Sequence, residues 1–353
     1  MNKKGVSTLK VAATYIGTVV GAGFATGQEI LQFFTRFGAM GLAGLIVATV
    51  MFIVFGYIIM DLGKKLHASS YLEIIMYSGG NRIGIIIDSI ITVFLFGSFT
   101  AMIAGTGALF SQQLNFPYFI GNILMAILTA LTVMTGIKGV INSISFVVPF
   151  LLIAVIGTSI FSFINSPPNI TASSAIIGTN GLINNWFMAA VLYVSYNIII
   201  SVAVLGPLGS EARNRNCVRN GAILGGLGLG LSSVMIYLSL TGNISEILGL
   251  EVPMIFVAGK ISSTVQTIYS LVLIAEVYTT AVGSLYGFVS RITDIEKNPI
   301  KGKLIISVIT IVALLASQFG FTNFVKYLYP VVGYGGIVLL ICLVCSILNR
   351  KTI

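Results

Sequence analysis

The chain has 353 residues, of which 56% are hydrophobic and only 8% are charged, and its mean hydropathy is +1.02. A soluble domain carries roughly 25% charged residues, and a soluble core stops growing near about 250–300 residues, so the composition excludes a soluble globular protein. The net charge of +9 does not indicate a nucleic-acid partner, because the basic residues lie in short loops between apolar runs.

Apolar segments long enough to cross a bilayer, which takes roughly 20 residues, recur along the whole chain. They lie at Ser7–Phe34, Ala39–Leu62, Ile83–Phe110, Pro117–Gly136, Val140–Phe163, Leu182–Leu205, Gly221–Leu240, Thr264–Val289, Leu304–Gly320 and Val325–Leu348. We therefore predict an all-α integral membrane protein with ten transmembrane helices, forming one transporter domain over residues 1–353.

The basic residues predict the orientation of these spans. With the N-terminus in the cytoplasm, 16 of the 19 Lys and Arg residues lie on the inner side. Only Arg36, Lys260 and Lys326 lie outside. Cytoplasmic loops of membrane proteins carry this excess of positive charge. The pattern predicts a multi-pass protein of the inner (cytoplasmic) membrane with both termini in the cytoplasm.

Two predicted outer loops are longer than the others, at Asn165–Gly181 and Thr241–Ser263. The second contains Ile244–Leu248 and Pro253–Ala258, each long enough for a turn or two of helix. We expect these two segments to form short helices over the outer entrance.

The first span has glycines at its centre, namely Gly17, Gly21, Gly23 and Gly27. Small residues at four-residue spacing let helices pack closely in lipid. Alternatively, an unwound stretch in mid-membrane frees carbonyl groups to coordinate a cation. Four glycines within eleven residues exceed what packing needs, and the pattern favours a broken helix.

The sixth span carries Ser195, Tyr196 and Asn197 in its middle. Polar side chains in hydrocarbon need partners, which an opened backbone can supply, so we expect a second break here. Irregular helices at positions one and six of ten are typical of an inverted repeat of five helices. The repeats would cover about residues 7–163 and 182–348.

Two segments resemble the amino acid–polyamine–organocation (APC) superfamily, which has the LeuT fold. They are Gly17-Thr-Val-Val-Gly-Ala-Gly23 and, after the sixth span, Ser210-Glu-Ala-Arg-Asn214. The whole chain is similar to the YkvI-type bacterial membrane proteins. The resemblance implies a secondary active transporter that moves an amino acid or related small amine by alternating access, coupled to a cation.

The resemblance also implies a sodium site between the first and eighth spans. Its ligands would be the carbonyls of Gly17 and Val20 and the hydroxyls of Thr279 and Thr280. Sodium favours such oxygen donors. The absence of lysine from the fifth span favours sodium over a proton. We expect no other cofactor.

The substrate would bind at the two breaks. The candidate residues are Gly21, Gly23, Phe24, Ser195, Tyr196, Asn197 and Glu276. Tyr193 is a further aromatic candidate for the pocket wall.

Glu276 lies near the middle of the eighth span, where an acidic residue costs at least about 2.5–3.5 kcal/mol. It should therefore face the interior and handle the substrate or the coupling ion, unless it only forms a fixed hydrogen bond with Tyr196 or Asn197. Two alternatives stay open. One is a proton-coupled carrier of an organic cation that uses Glu276, and the other is a membrane sensor or subunit that transports nothing.

Glu29 lies six residues beyond Gly23, about 9 Å outward along a helix. Together with Lys326 it is predicted to form an outer gate pair, the alternative being two unrelated interfacial charges. Asp88 is expected to form a structural salt bridge on the inner side. The chain contains no HExxH motif, no P-loop and one histidine, His67, so an enzyme is not expected.

Overall fold

The computed structural model describes residues 5–114, 116–169, 185–248, 250, 252–319 and 321–348. The side chains of residues 22, 112, 114, 319 and 321–331 are outside this description. Within these ranges the regular structure is helical.

The first half of the chain forms the helices that precede the long outer loop. They are α1 (Thr8–Val19), α2 (Ala22–Ala25), α3 (Gln28–Phe33), α4 (Ala39–Leu66), α5 (Tyr71–Leu114), α6 (Tyr118–Val133) and α7 (Gly136–Asn165). Helix α5 is interrupted at Gly80, whose φ of +63° lies in the region that favours glycine. The interruption separates a short first segment from the part that spans the membrane.

The second half continues after the long loop. Its helices are α8 (Trp186–Glu211), α9 (Arg215–Gly242), α10 (Ile244–Ile247), α11 (Pro253–Gly259), α12 (Ser263–Ile292), α13 (Pro299–Ala316) and α14 (Phe321–Leu348). The short helices α10 and α11 confirm the two expected in the second outer loop. Most of the first outer loop lies outside the described residues.

The described residues contain seven helices that are long and apolar enough to cross a membrane, namely α4, α5, α7, α8, α9, α12 and α13. Helix α6 has 16 residues, and α14 and the interrupted α1–α3 segment occupy the positions of the remaining spans. The chain is therefore a multi-pass helical membrane protein. The count of ten spans and the inverted repeat stay predictions.

Two cavities bring together residues from opposite ends of the same helices. A cavity of about 230 Å³ is lined by His67, Gly136, Glu211 and Asp294 at one end of the helices. A cavity of about 300 Å³ at the other end is lined by Asn165, Asn243 and Lys260. The sequence predicts the first four residues on the inner side and the other three on the outer side, so the structure groups them as predicted.

The helices pack in two groups around the interrupted first segment. Helices α1 and α4 each pack against both α8 and α9, and α5, α6, α12 and α13 form a second set of neighbours. Helix α1 also contacts α12 of the second set, and it contacts α7, which packs against both α9 and α12. The interruption between α1 and α2 therefore lies where the two groups meet.

Two ion pairs join helices at the end that the sequence predicts to face the cytoplasm. Asp61 of α4 pairs with Arg215 at the start of α9, at 2.9 Å. Asp88 of α5 pairs with Arg291 of α12 at 2.8 Å and accepts a hydrogen bond from Tyr71 at 3.0 Å. The structure thus contains the salt bridge expected for Asp88.

The residues before α1 are tied to the residues after α8 by backbone hydrogen bonds. The Val6 amide donates to the Glu211 carbonyl at 2.9 Å, and the Arg213 amide donates to the Val6 carbonyl at 3.1 Å. Lys64 donates to the neighbouring Ala212 carbonyl at 2.6 Å. This short bridge holds the inner end of α1 against the end of α8.

Candidate functional site

The first span is interrupted twice. Helix α1 ends at Val19, and Val20 is extended, with φ −67° and ψ 128°. After the short α2, Gly27 adopts a left-handed conformation with φ +85°, and α3 starts from it. Glycine suits this position because a left-handed backbone strains other residues. The structure therefore contains the break that the glycine pattern predicts.

Helix α12 lies against this break through two adjacent threonines. The Thr279 hydroxyl donates to the Gly17 carbonyl at 3.1 Å. The Thr280 hydroxyl donates to the Val20 carbonyl at 3.0 Å. All four residues are buried. The structure thus brings together the four residues that the sequence analysis assigned to a sodium site.

The carbonyl of Glu276 is a further oxygen at the same position, and the sequence analysis did not identify it. The Thr279 hydroxyl lies 2.8 Å from this carbonyl as well as 3.1 Å from that of Gly17. The three-residue spacing between Glu276 and Thr279 within a helix is the signal that could have indicated it. Three carbonyls and two hydroxyls suit a hard cation such as Na⁺.

The side chain of Glu276 points into the protein and has no accessible surface. One carboxylate oxygen, Oε2, lies 3.4 Å from the Thr279 hydroxyl. The other, Oε1, has no hydrogen-bond partner within the described part of the chain. Two turns earlier, Tyr269 donates to the Ala25 carbonyl of α2 at 2.8 Å. The side of α12 that carries Tyr269, Glu276 and Thr280 therefore lies along the broken segment from Val20 to Ala25.

The helical estimate of about 9 Å predicted that Glu29 lies outward of the break. The structure does not place it there. Its side chain folds back over Gly23, where a Cβ atom would overlap the Glu29 carboxylate. The estimate is wrong because the turn at Gly27 stops α2 and α3 from forming one helix. Lys326, the predicted gate partner, has its side chain outside the described residues.

The Glu29 carboxylate lies beside the hydroxyl of Tyr196 on α8. Tyr196 is buried, as is Phe24 on the short helix α2. Gly21 and Gly23 are half-buried in the broken segment, and the Thr280 hydroxyl would lie 3.1 Å from a Cβ at Gly21. Of the predicted substrate-binding residues, Gly21, Gly23, Tyr196 and Glu276 border the break in the first span.

The predicted break in the sixth span is wrong, because α8 is continuous from Trp186 to Glu211. Ser195 donates to the Leu192 carbonyl at 2.9 Å and to the Gly333 carbonyl of α14 at 2.8 Å. Asn197 donates to the Tyr193 carbonyl at 2.9 Å. Serine and asparagine can bond back to carbonyls of their own helix, so these side chains find partners without an opened backbone. Ser195 faces α14 rather than the first span.

Comparison with solved structures defines the class of the fold. A Na⁺-coupled sialic acid symporter in a substrate-bound outward-open state matches with a TM-score of 0.73 at 13% identity, over 95% of this chain and 78% of that chain. MhsT in complex with L-phenylalanine matches with a TM-score of 0.67 at 17% identity, over 100% of this chain and 94% of that chain. The protein therefore has the LeuT fold of membrane transporters.

No protein-family model matches the chain. The uncharacterized membrane protein YkvI of Bacillus subtilis (strain 168) is 33% identical over 345 residues, which cover 98% of this chain and 97% of YkvI. The chain belongs to the YkvI family. A membrane-protein relative and transporter fold neighbours agree with the expectation that the protein is not an enzyme.

Proposed function

We propose that the protein is a secondary transporter driven by a sodium gradient, which moves an amino acid or related small amine by alternating access. The observation that carries the proposal is the contact of Thr279 and Thr280 with the carbonyls of Gly17 and Val20. An ion that these oxygens bind together would join α12 to the broken segment. Its binding would therefore favour one arrangement of the two helix groups.

The fold neighbours support this proposal. One of them is described as a Na⁺-coupled sialic acid symporter, and another contains bound L-phenylalanine. The proposal includes membership of the APC superfamily, ten spans in two inverted repeats, and an inner-membrane location with both termini in the cytoplasm. The partners are a small-molecule substrate and the lipid bilayer.

The substrate site in this proposal lies at the first break. It includes Gly21, Gly23, Phe24, Tyr196 and Glu276. Ser195 and Asn197 no longer belong to it, because their polar groups bond to carbonyls of α8 and α14.

The test of sodium binding is the thermal stability of the purified protein in NaCl and in KCl at equal ionic strength. A ligand that binds only the native state stabilises it by about 1.4 kcal/mol at ten times its Kd. We expect sodium, and not potassium, to raise the unfolding temperature. Thr279→Val and Thr280→Val should each remove this sodium-dependent rise, because valine keeps the shape and lacks the oxygen.

Thr106→Val is the matched control for these variants. Thr106 is fully buried on α5, and its hydroxyl donates to the Met102 carbonyl of the same helix at 3.0 Å. This variant should keep the sodium-dependent rise even where its baseline stability drops. Equal sodium responses in Thr279→Val, Thr280→Val and the unaltered protein would contradict the sodium site.

Glu276 supports a second candidate, a proton-coupled carrier of an organic cation. The specific observation is its buried Oε1 atom, which lacks a partner among the described residues. In this case uptake into vesicles would follow a pH gradient without sodium, and Glu276→Gln would abolish the response to pH. Uptake that needs sodium and persists in Glu276→Gln would exclude this candidate.

A further inference from the structure

We propose that Glu29 and three aromatic side chains, Phe33, Tyr193 and Tyr196, form the site that binds an organic ammonium group of the substrate. This inference rests on the proposed transport function and specifies the charged group that the protein recognises. It assigns Glu29 to substrate binding instead of to an outer gate.

The three rings form a compact cluster between α3 and α8. The ring centres of Phe33 and Tyr193 are 5.6 Å apart, those of Phe33 and Tyr196 are 5.8 Å apart, and those of Tyr193 and Tyr196 are 5.7 Å apart. Phe33 follows Glu29 by one helical turn, so the carboxylate and this ring lie on the same face of α3. The Glu29 carboxylate lies beside Tyr196 and within electrostatic reach of Tyr193.

The Glu29 carboxylate has unused capacity to bind a cation. Its Oε2 atom is buried and has no hydrogen-bond partner in the part of the chain that the structure describes. The ion pairs of the described residues use Asp61, Asp88, Glu246 and Asp294, and none uses Glu29. A carboxylate within a membrane protein is costly unless it is paired, and a cationic ligand would supply the missing partner.

An ammonium group fits both components of this cluster. A primary ammonium donates charge-assisted hydrogen bonds to a carboxylate, and primary and quaternary ammonium groups are both attracted to the faces of aromatic rings within about 6 Å of their centres. A neutral hydroxyl can still donate one hydrogen bond to the carboxylate, but it carries no charge that would pair with the carboxylate or be attracted to the ring faces. The neighbouring Gly23 leaves room for the carboxylate at the break, since a side chain there would overlap Glu29.

Glu276 is the other carboxylate near the break, and its surroundings differ from those of Glu29. Its carboxylate contacts Thr279 on α12, whereas that of Glu29 lies beside Tyr196 on α8. The Glu276 carboxylate thus reaches the broken segment from α12, whereas the Glu29 carboxylate belongs to the broken segment itself. We assign binding of the ammonium group to Glu29 and not to Glu276.

The experiment measures thermal stability of the purified full chain against pairs of cationic and neutral probes of the same shape. The pairs are butylammonium with butan-1-ol, and choline with 3,3-dimethylbutan-1-ol, at pH 7 and constant ionic strength. At least one ammonium probe should raise the unfolding temperature in a concentration-dependent manner, and its neutral counterpart should not. Equal effects of the charged and neutral probes, or no effect of either ammonium, would overturn the proposal.

Substitutions then locate the binding. Glu29→Gln should weaken binding of the ammonium probe by about tenfold or more, because it replaces a charged acceptor with a neutral amide. Glu246→Gln is the matched control, since this carboxylate is 51% exposed beside Lys260 and should not affect the probe. Tyr196→Phe should keep most of the binding and Tyr196→Leu should lose it, because only leucine removes the ring. This second pair tests the site if Glu29→Gln does not fold.

Four further outcomes separate this inference from its alternatives. If Glu276→Gln removes ammonium binding and Glu29→Gln does not, the assignment to Glu29 is wrong. If ammonium binds only after Lys326→Gln, the lysine fills the site in the native protein and the proposal is also wrong. Sodium stabilisation without any ammonium response would overturn this inference and leave the proposed sodium coupling intact, whereas the loss of both responses would count against both.

Discussion

The first and sixth spans both carry polar and small residues in mid-membrane, yet only the first is interrupted there. In the first span, Val20 is extended and Gly27 has a left-handed backbone, and the chain changes direction twice. In the sixth, Ser195 and Asn197 bond to carbonyls of an intact helix. The difference teaches that a helix breaks where its backbone is free to open and a close neighbour donates hydrogen bonds to the freed carbonyls, whereas polar side chains alone do not break it.

Small residues in α8 serve close packing instead. Gly209, near the end of the helix, lies so close to α4 that an added Cβ would overlap the Met60 carbonyl. Gly63 on α4 makes the reciprocal contact with the Gly206 carbonyl. Glycines therefore have opposite roles in the two spans, since they interrupt one helix and let the other approach its neighbour.

The largest effect is expected from Gly209→Ala. The added methyl group meets backbone atoms, which cannot move aside as a flexible side chain can, so we expect a loss of about 3 kcal/mol in stability. The measurement is the thermal unfolding midpoint in detergent. Gly157→Ala is the control, because nothing lies within 4 Å of its Cβ position, and it should be neutral or slightly stabilising. A midpoint for Gly209→Ala close to that of the unaltered protein would show that α4 and α8 can separate.

A smaller effect is expected from Gly27→Ala in the broken span. A left-handed backbone costs a residue with a Cβ about 1–2 kcal/mol, and the Met254 side chain lies 2.9 Å from the added atom. The unfolding midpoint should fall, and Gly27→Asn should fall less, because asparagine tolerates this conformation better. If alanine were accepted without loss, the second interruption would not depend on glycine.

The smallest effect is expected from Ser195→Ala, which removes a buried hydroxyl from the continuous span. Such hydrogen bonds between membrane helices contribute about 0.6 kcal/mol on average. The stability should drop by this small amount, and the sodium-dependent rise in unfolding temperature should not change. Loss of the sodium response in this variant would mean that α8 takes part in ion binding, and the contrast between the two spans would fail.

Much of the fold follows from the sequence, because hydropathy and charge report directly on the bilayer. The short helices α10 and α11, and the grouping of loops at two ends, follow from the alternation of apolar spans. The pairing of Thr279 and Thr280 with Gly17 and Val20 was accessible only through the family resemblance, since no local pattern connects residues about 260 positions apart.

Other features of the candidate site depend on tertiary contacts. Whether Ser195 opens its helix or bonds within it depends on the Gly333 carbonyl of α14, which the local sequence does not show. The position of Glu29 depends on the backbone turn at Gly27. The estimate along a helix assumes that the helix is uninterrupted, so it placed the Glu29 carboxylate outward of the break. In the structure, the turn at Gly27 brings this carboxylate back against Gly23.

The bridge between Val6 and the residues after α8 has a consequence for sequence variation. Both of its hydrogen bonds join main-chain atoms, so their formation does not depend on which side chains occupy positions 6, 211 and 213. Only proline lacks the amide hydrogen that each bond requires. Val6 and Arg213 can therefore be exchanged for most other residues. The attachment of the start of α1 to the end of α8 depends on the course of the backbone and not on the side chains at these positions.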